Sequence, residues 1–119
     1  MGVAKRLKQE NPDIKVIAVQ PDSPMHGIEG TKHMASTIHP GIYDPSILDG
    51  VVEVSTEEAY LAVRKLAQEE GLFVGISSGA NVAGALKTAE KLDGKAVVAT
   101  VLCDNGFRYL SGDLWEDRQ

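Results

Sequence analysis

The chain alternates short apolar runs with segments of helical period, and this alternation restricts its fold more than any other feature. The apolar runs are 14–20, 51–54, 72–76 and 96–102, and the helical segments are 1–10, 56–70 and a small-residue segment from Ala80. Strands that alternate with helices of this length form right-handed βαβ units with parallel strands. Continuously apolar runs are typical of strands buried on both faces of such a sheet. The sequence therefore predicts an α/β fold, a mostly parallel sheet with flanking helices.

The second helical segment has clear start and stop signals. Ser55 and Glu58 form a predicted capping box, in which each side chain hydrogen-bonds the backbone N–H of the other residue. Gly71 supplies the left-handed backbone conformation that commonly ends a helix. By contrast, the first segment, with Val3 and Leu7 on one face, begins at the first residue with no capping residue before it.

Residues 21–50 show no strong periodicity. They contain four of the five prolines and four glycines, among them Gly30. A connection of about 30 residues without regular structure is long for a compact domain, and such loops tend to have a function. We therefore expect a functional loop at the rim of a site.

A serine pair follows the predicted strand 72–76. Ligands of parallel sheets bind beyond the carboxyl ends of the strands, so Ser77 is a candidate hydrogen-bonding group in a cleft. The motif also has a purely structural interpretation, in which Ser78 caps the next helix and Gly79 eases the bend. The residues alone leave both interpretations open.

Cys103 and Asp104 follow the predicted strand 96–102 and would reach the same edge of the sheet. They are candidates for a pocket wall. They also fit an ordinary strand end, with a small buried thiol and an aspartate that starts a turn before Gly106. Again, both interpretations stay open.

Composition and charge argue against several classes of function. The net charge of −5 at pH 7 gives no electrostatic reason to expect nucleic acid or an anionic membrane as a partner. A single cysteine excludes an intrachain disulfide and a cysteine-rich zinc site, and His26, His33 and His39 lack ligand spacing. No apolar run approaches the ~20 residues of a membrane span. We expect a cytoplasmic protein without a metal site.

Three stretches together point to a family: PGIYDPSILDGVVEVSTEEAY (40–60), GISSGANVAGALK (75–87) and CDNGFRYLS (103–111). In this order and spacing they resemble the C-terminal region of the cysteine synthase family, which consists of pyridoxal-phosphate (PLP) enzymes of fold type II. The resemblance covers essentially the whole chain and places it in the large domain of that fold. Cys-Asp-x-Gly followed by Arg-Tyr-Leu-Ser is similar to cysteine synthase B, although Phe107 replaces the more polar residue usual there.

The resemblance implies PLP as the cofactor, with Ser77 hydrogen-bonded to its pyridine nitrogen and Gly75 beside it. A serine at this position leaves the nitrogen largely unprotonated, which suits elimination at the β-carbon over deeper carbanion chemistry. The resemblance further implies that Gly30, Cys103 and Asp104 border the substrate pocket. The family's Schiff-base lysine and its phosphate loop have no counterpart among the motifs of this chain, so no catalytic residue is assigned.

The implied activity is synthesis of L-cysteine by β-replacement, from an activated serine (O-acetylserine or O-phosphoserine) and sulfide or thiosulfate, in a homodimeric enzyme. Residues 1–119 would then be a single partial domain that needs a missing N-terminal half, and the isolated chain would be inactive. Three alternatives remain: a non-catalytic half-enzyme or assembly module, a cystathionine β-synthase-like enzyme, and a nucleotide-binding domain. The last of these lacks the expected G-x-G-x-x-G turn.

Overall fold

The computed structural model of the chain describes residues 1–115, so the last four residues of the predicted partial domain, 116–119, lie outside the described part. The helices and strands of the described part are α1 (Gly2–Glu10), β1 (Ile17–Pro21), β2 (Gly50–Val54), α2 (Thr56–Glu69) and α3 (Ile76–Ala89). Short 3-10 helices lie at Met34–Ser36, Pro45–Ile47, Gly106–Tyr109 and Asp113–Trp115.

The sheet consists of β1 and β2, which pair in parallel from Ile17 beside Gly50 to Pro21 beside Val54. The chain between them, 22–49, contains two 3-10 helices but neither an α-helix nor a strand, in agreement with the irregular loop expected there. The predicted α/β fold with a parallel sheet and flanking helices is confirmed. However, β1 begins at Ile17, whereas the apolar run begins at Ile14.

Both ends of α2 form as the sequence predicts. The Ser55 hydroxyl accepts a hydrogen bond from the Glu58 N–H at 3.1 Å, and the Glu58 carboxylate accepts one from the Ser55 N–H at 2.8 Å. At the other end Gly71 has a φ of +68°, and the Leu72 N–H turns back to the Leu66 carbonyl at 2.9 Å. These contacts satisfy backbone groups that a helix end otherwise leaves unpaired.

The core lies where α3 crosses α2 and β1 at close range. A Cβ on Gly79 would collide with the Ala59 carbonyl oxygen and lie 2.5 Å from Cγ2 of Val63. Gly84 packs equally closely against Val19, since a Cβ on Gly84 would lie only 2.6 Å from Cγ2 of Val19. The buried cluster consists of Ile28, Val54, Ala59, Val63, Val74, Ile76, Ala80 and Leu114.

The strand predicted at 72–76 is wrong. Val74 forms one isolated antiparallel bridge with Asn105, and α3 already begins at Ile76, not at Ala80. The run is apolar because Val74 and Ile76 are buried in the core, and such burial does not require a β-ladder. Short apolar runs of this kind have no periodicity that separates a strand from a buried helix start.

The strand predicted at 96–102 is also wrong for the described part of the chain. These residues form no strand and are exposed, with exposed fractions of 95% for Val97 and 66% for Val101. A strand forms only where a second backbone supplies the ladder hydrogen bonds, and none within residues 1–115 lies beside this segment. The segment therefore presents apolar side chains, and a backbone without ladder hydrogen bonds, to its surroundings.

Candidate cofactor and substrate site

The site begins at the first turn of α3, where the two serines have different environments. Gly75 is the N-cap, with an extended backbone (φ −85°, ψ 175°) and no side-chain cap. Ser77 is half-buried, and within residues 1–115 its hydroxyl has no hydrogen-bond partner. Ser78 is fully buried. The helix therefore starts with one serine hydroxyl available to a ligand and one enclosed in the protein.

Ser78 fastens the Cys103–Asp104 turn to α3. Its hydroxyl accepts a hydrogen bond from the Cys103 N–H at 2.9 Å and lies 3.4 Å from the Asp104 carbonyl oxygen, to which it donates. The Gly75 N–H donates to the same carbonyl at 3.1 Å. The sequence-based interpretation of Ser78 as the N-cap is therefore wrong, because Gly75 holds that position.

Cys103 has an exposed side chain beside α3. The Asn81 side-chain amide lies 3.4 Å from its sulfur and donates to the Val101 carbonyl at 2.9 Å. Both motifs predicted to lie at one edge, the serine pair and the Cys-Asp pair, are thus brought together. The hydrogen bonds of Ser78 and Asn81 do this without the two strands that the prediction assumed.

The two oxygens of the Asp104 carboxylate have unequal environments. Oδ2 accepts a hydrogen bond from the Tyr109 hydroxyl at 2.8 Å, whereas Oδ1 is buried and has no partner within the described residues. The pKa of Tyr109 is raised, mainly by this hydrogen bond, next by burial and then by the charge of Asp104. Ionisation of the phenol would remove the hydrogen-bond donor and place two negative charges side by side. Sequence analysis missed Tyr109 as part of the site. The only available signal was its position five residues after Asp104 in the Arg-Tyr-Leu-Ser motif.

Gly75 makes room for this pair. A Cβ on Gly75 would collide with Oδ1 of Asp104 and would lie 2.7 Å from Cε2 of Tyr109. Any side chain at this position therefore displaces the carboxylate or the phenol ring. The glycine is required here by close packing, since its φ is one that other residues adopt readily.

Gly30 lies on the loop 22–49 and has a φ of +82°, with nothing near its Cβ position. Its neighbour Ile28 is buried in the same cluster as Val74 and Ile76, which anchors this part of the loop close to the start of α3. The charge of Glu29 also contributes to the raised pKa of Tyr109. The loop therefore passes near the site, while no atom of the described residues lies within 4 Å of the Cβ position of Gly30 itself.

Two clefts lie away from this site. One of about 690 Å³ is bordered by His39, Val52 and Lys87, and another of about 630 Å³ lies between β1, α3 and residues 96–100. Neither is lined by Ser77, Cys103 or Asp104. In the described residues no group of three His, Cys, Asp or Glu side chains could hold a metal ion, and no helix is long and apolar enough to cross a membrane.

Residues 1–104 match the model of a protein family described as pyridoxal-phosphate dependent enzyme. The chain belongs to this family. Cysteine synthase from Aquifex aeolicus is 46% identical over 121 residues, a match that covers 99% of this chain and 37% of that protein. Cysteine synthase B from Pseudomonas aeruginosa is 40% identical over 120 residues, a match that covers 99% of this chain and 39% of that protein. The resemblance to the cysteine synthase family is therefore confirmed, and with it PLP as the family's cofactor.

Solved structures of the family superimpose closely on the chain. A structure of O-ureido-L-serine synthase has a TM-score of 0.89 at 35% identity, with 99% of this chain and 39% of that protein covered. The structure of cysteine synthase from Entamoeba histolytica has a TM-score of 0.89 at 33% identity, with 99% of this chain and 37% of that protein covered. The chain thus spans less than two fifths of the length of these relatives.

Proposed function

We propose that the chain is the C-terminal part of a PLP-dependent cysteine synthase. In the complete enzyme, an activated serine such as O-acetylserine or O-phosphoserine would exchange its leaving group for sulfide or thiosulfate and give L-cysteine. The relatives named cysteine synthase support this reaction, since they are 40% and 46% identical over nearly all of the chain. The proposal includes a missing N-terminal half, which would supply the covalent lysine and the phosphate loop, and a homodimeric assembly. Without that half, we expect residues 1–119, a single partial domain, to be inactive.

The observation that carries the proposal is the hydroxyl of Ser77 at the start of α3, which has no hydrogen-bond partner among residues 1–115. It fits the ring nitrogen of PLP, because a neutral hydroxyl can donate to this nitrogen without holding it protonated. Bound PLP supplies the electron sink that allows a leaving group to depart from the β-carbon. In this arrangement Ser77 orients the ring, and Gly75 keeps the start of α3 free of a side chain. Cys103, Asp104 and Gly30 are proposed to border the substrate.

Ser77→Ala in the full-length protein tests this role. One net hydrogen bond is worth about 0.5–1.5 kcal/mol, so we expect PLP to dissociate roughly two- to twelvefold more readily. Fluorescence titration with PLP measures this change. Ser78→Ala is the matched comparison for stability: it removes the acceptor of the Cys103 N–H and should reduce the free energy of unfolding by about 1–3 kcal/mol, whereas Ser77→Ala removes no hydrogen bond within residues 1–115 and should leave it unchanged. If PLP binds Ser77→Ala as tightly as the wild type, Ser77 is not the partner of the ring.

A cystathionine β-synthase-like reaction is a second candidate. It is favoured by the likeness to an O-acetylserine dependent cystathionine β-synthase from Helicobacter pylori, which has a TM-score of 0.83 at 36% identity and of which the chain covers 39%. A competition assay with sulfide and homocysteine as acceptors separates the two reactions. Cysteine as the main product supports the first proposal, whereas cystathionine supports the second. A full-length protein that forms neither product would support the non-catalytic alternative.

A further inference from the structure

Tyr109 and Asp104 form a side-chain pair at the edge of the proposed pocket. The phenol oxygen donates to Oδ2 of Asp104 at 2.8 Å, and this contact is partly buried. Between the two residues the chain folds as the 3-10 helix Gly106–Tyr109, in which Gly106 is buried against the ring of Phe73. The tyrosine therefore lies at the end of a packed 3-10 helix and presents its hydroxyl to the carboxylate.

The carboxylate depends on this single side-chain donor. Its other oxygen, Oδ1, is buried against Gly75 and has no hydrogen-bond partner within residues 1–115. The start of α3 next to it has partial positive charge, which favours a carboxylate there but does not replace a hydrogen bond. Loss of the Tyr109 hydroxyl would leave both carboxylate oxygens without a side-chain donor in a partly buried place, and this is unfavourable.

The backbone around Asp104 connects the Asp104 side chain to Cys103, so a change in the side chain would also affect the proposed pocket wall. The carbonyl of Asp104 accepts hydrogen bonds from the Gly75 N–H and the Ser78 hydroxyl, and the adjacent Cys103 N–H donates to Ser78. If the Asp104 side chain turned outward to water, it would pull on this same short segment. Cys103 would then lose its fixed position beside α3.

We propose that Tyr109 is a positioning residue, which holds the Cys103–Asp104 turn against the first turn of α3 through its hydrogen bond to Asp104. The inference rests on the proposed function insofar as this turn borders the substrate. Tyr109 itself need not touch the substrate or the cofactor. Its raised pKa agrees with a phenol that stays protonated as a donor throughout the neutral range.

The test compares Tyr109→Phe with Tyr60→Phe in the full-length protein. Each change removes one hydroxyl and keeps the ring, but the Tyr60 hydroxyl has no hydrogen-bond partner within the described residues. The readout is the rate of hydrogen exchange at the Cys103 amide, which donates to the Ser78 hydroxyl, followed by mass spectrometry of the peptide that contains it. For the loss of one hydrogen bond we expect about two- to twelvefold faster exchange in Tyr109→Phe and no change in Tyr60→Phe.

Changes at Asp104 show whether Tyr109 acts through the carboxylate. Asp104→Asn keeps an acceptor oxygen and should retain slow exchange of the Cys103 amide, whereas Asp104→Ala should exchange quickly. Adding Tyr109→Phe to Asp104→Ala should produce no further increase. An increase as large as in the wild-type background would overturn the proposal, as would unchanged exchange in Tyr109→Phe.

A second measurement covers the case in which Tyr109→Phe does not fold. In the wild-type protein, the ultraviolet titration should contain a component above the ordinary tyrosine range that comes from Tyr109, and this component should be absent from Asp104→Ala. Its persistence in Asp104→Ala would contradict the pairing. Neither readout requires cofactor or substrate, so both remain valid if the protein proves not to be a cysteine synthase.

Discussion

At the scale of single residues, neighbouring positions of the same type have different roles that only their surroundings explain. Ser77 and Ser78 are adjacent, yet the hydroxyl of the first has no partner in the described part of the chain, whereas the second is fully buried between α3 and the Cys103–Asp104 turn. The sequence identified the pair as chemically relevant. It could not assign the buried role to Ser78, because the groups that bond it lie 25 and 26 residues away.

Asp49 is a second residue whose role depends on distant partners. Its carboxylate accepts hydrogen bonds from the Lys8 ammonium at 2.6 Å and from the Val16 N–H at 2.8 Å, and Lys15 lies 3.6 Å away. These contacts lower the pKa of Asp49 from 3.8 to about 2, and the hydrogen bond from Lys8 has the largest effect, followed by that from Val16. The residue thereby links α1 and the start of β1 to the chain before β2.

This shift predicts a specific dependence of stability on pH. Because the pKa is lower in the folded state, Asp49 contributes its full stabilisation above about pH 4 and loses it as the pH falls toward 2. The difference in unfolding free energy between the wild type and Asp49→Asn should therefore shrink over this interval. Urea denaturation at several pH values measures it, with Asp93→Asn in the exposed turn as control. A difference that stays constant down to pH 2 would contradict the assignment.

At the scale of helices and strands, α3 is the element that connects the core with the site. Its first turn forms the site, and its glycines allow close approach to α2 and to β1. The sequence showed a run of small residues from Ala80 but not which neighbour each glycine would meet. Gly79 contacts α2 and Gly84 contacts β1, which is a consequence of the crossing of the three elements.

Gly79→Ala tests this close approach. The added methyl group would collide with the Ala59 carbonyl and the Val63 side chain, so α3 must shift away from α2. Overpacking of this kind typically costs about 1–3 kcal/mol, and we expect a loss of unfolding free energy in this range from urea denaturation. Gly94→Ala is the control, because nothing lies within 4 Å of its Cβ position. Equal stability of the two variants would show that α2 and α3 adjust without strain.

At the scale of the whole molecule, the most conspicuous feature is the exposed apolar segment 96–102. It lies with β1 and α3 around a cleft of about 630 Å³, and its backbone has no strand partner within residues 1–115. Apolar surface of this kind normally marks a place where another element packs. Since the relatives are more than twice as long as the chain, we expect another part of the full-length protein to cover it.

Hydrogen exchange measures whether this segment is covered. In residues 1–119 alone, the amides of 97–102 should exchange quickly, because they donate no hydrogen bond within the described residues 1–115. In the full-length protein, a second strand beside the segment should slow their exchange by more than about a hundredfold. The exposed residues Asp93 and Gly94, whose amides also donate no hydrogen bond within the described part, are the internal reference and should stay fast in both. Fast exchange of 97–102 in the full-length protein would mean that the segment is a true surface.

The sequence by itself determined the features that depend on residues close together in the chain. The capping box of Ser55 and Glu58 and the helix end at Gly71 follow from local spacing, because their hydrogen bonds join residues only a few positions apart. The family motifs are recognised from the order of residues alone. Tertiary structure decided the rest: that 72–76 and 96–102 are not strands within residues 1–115, that Ser78 is buried, and that Asp104 meets Tyr109 over Gly75. Strand pairing and side-chain burial depend on groups brought together from distant parts of the chain, and apolar runs alone do not specify those partners.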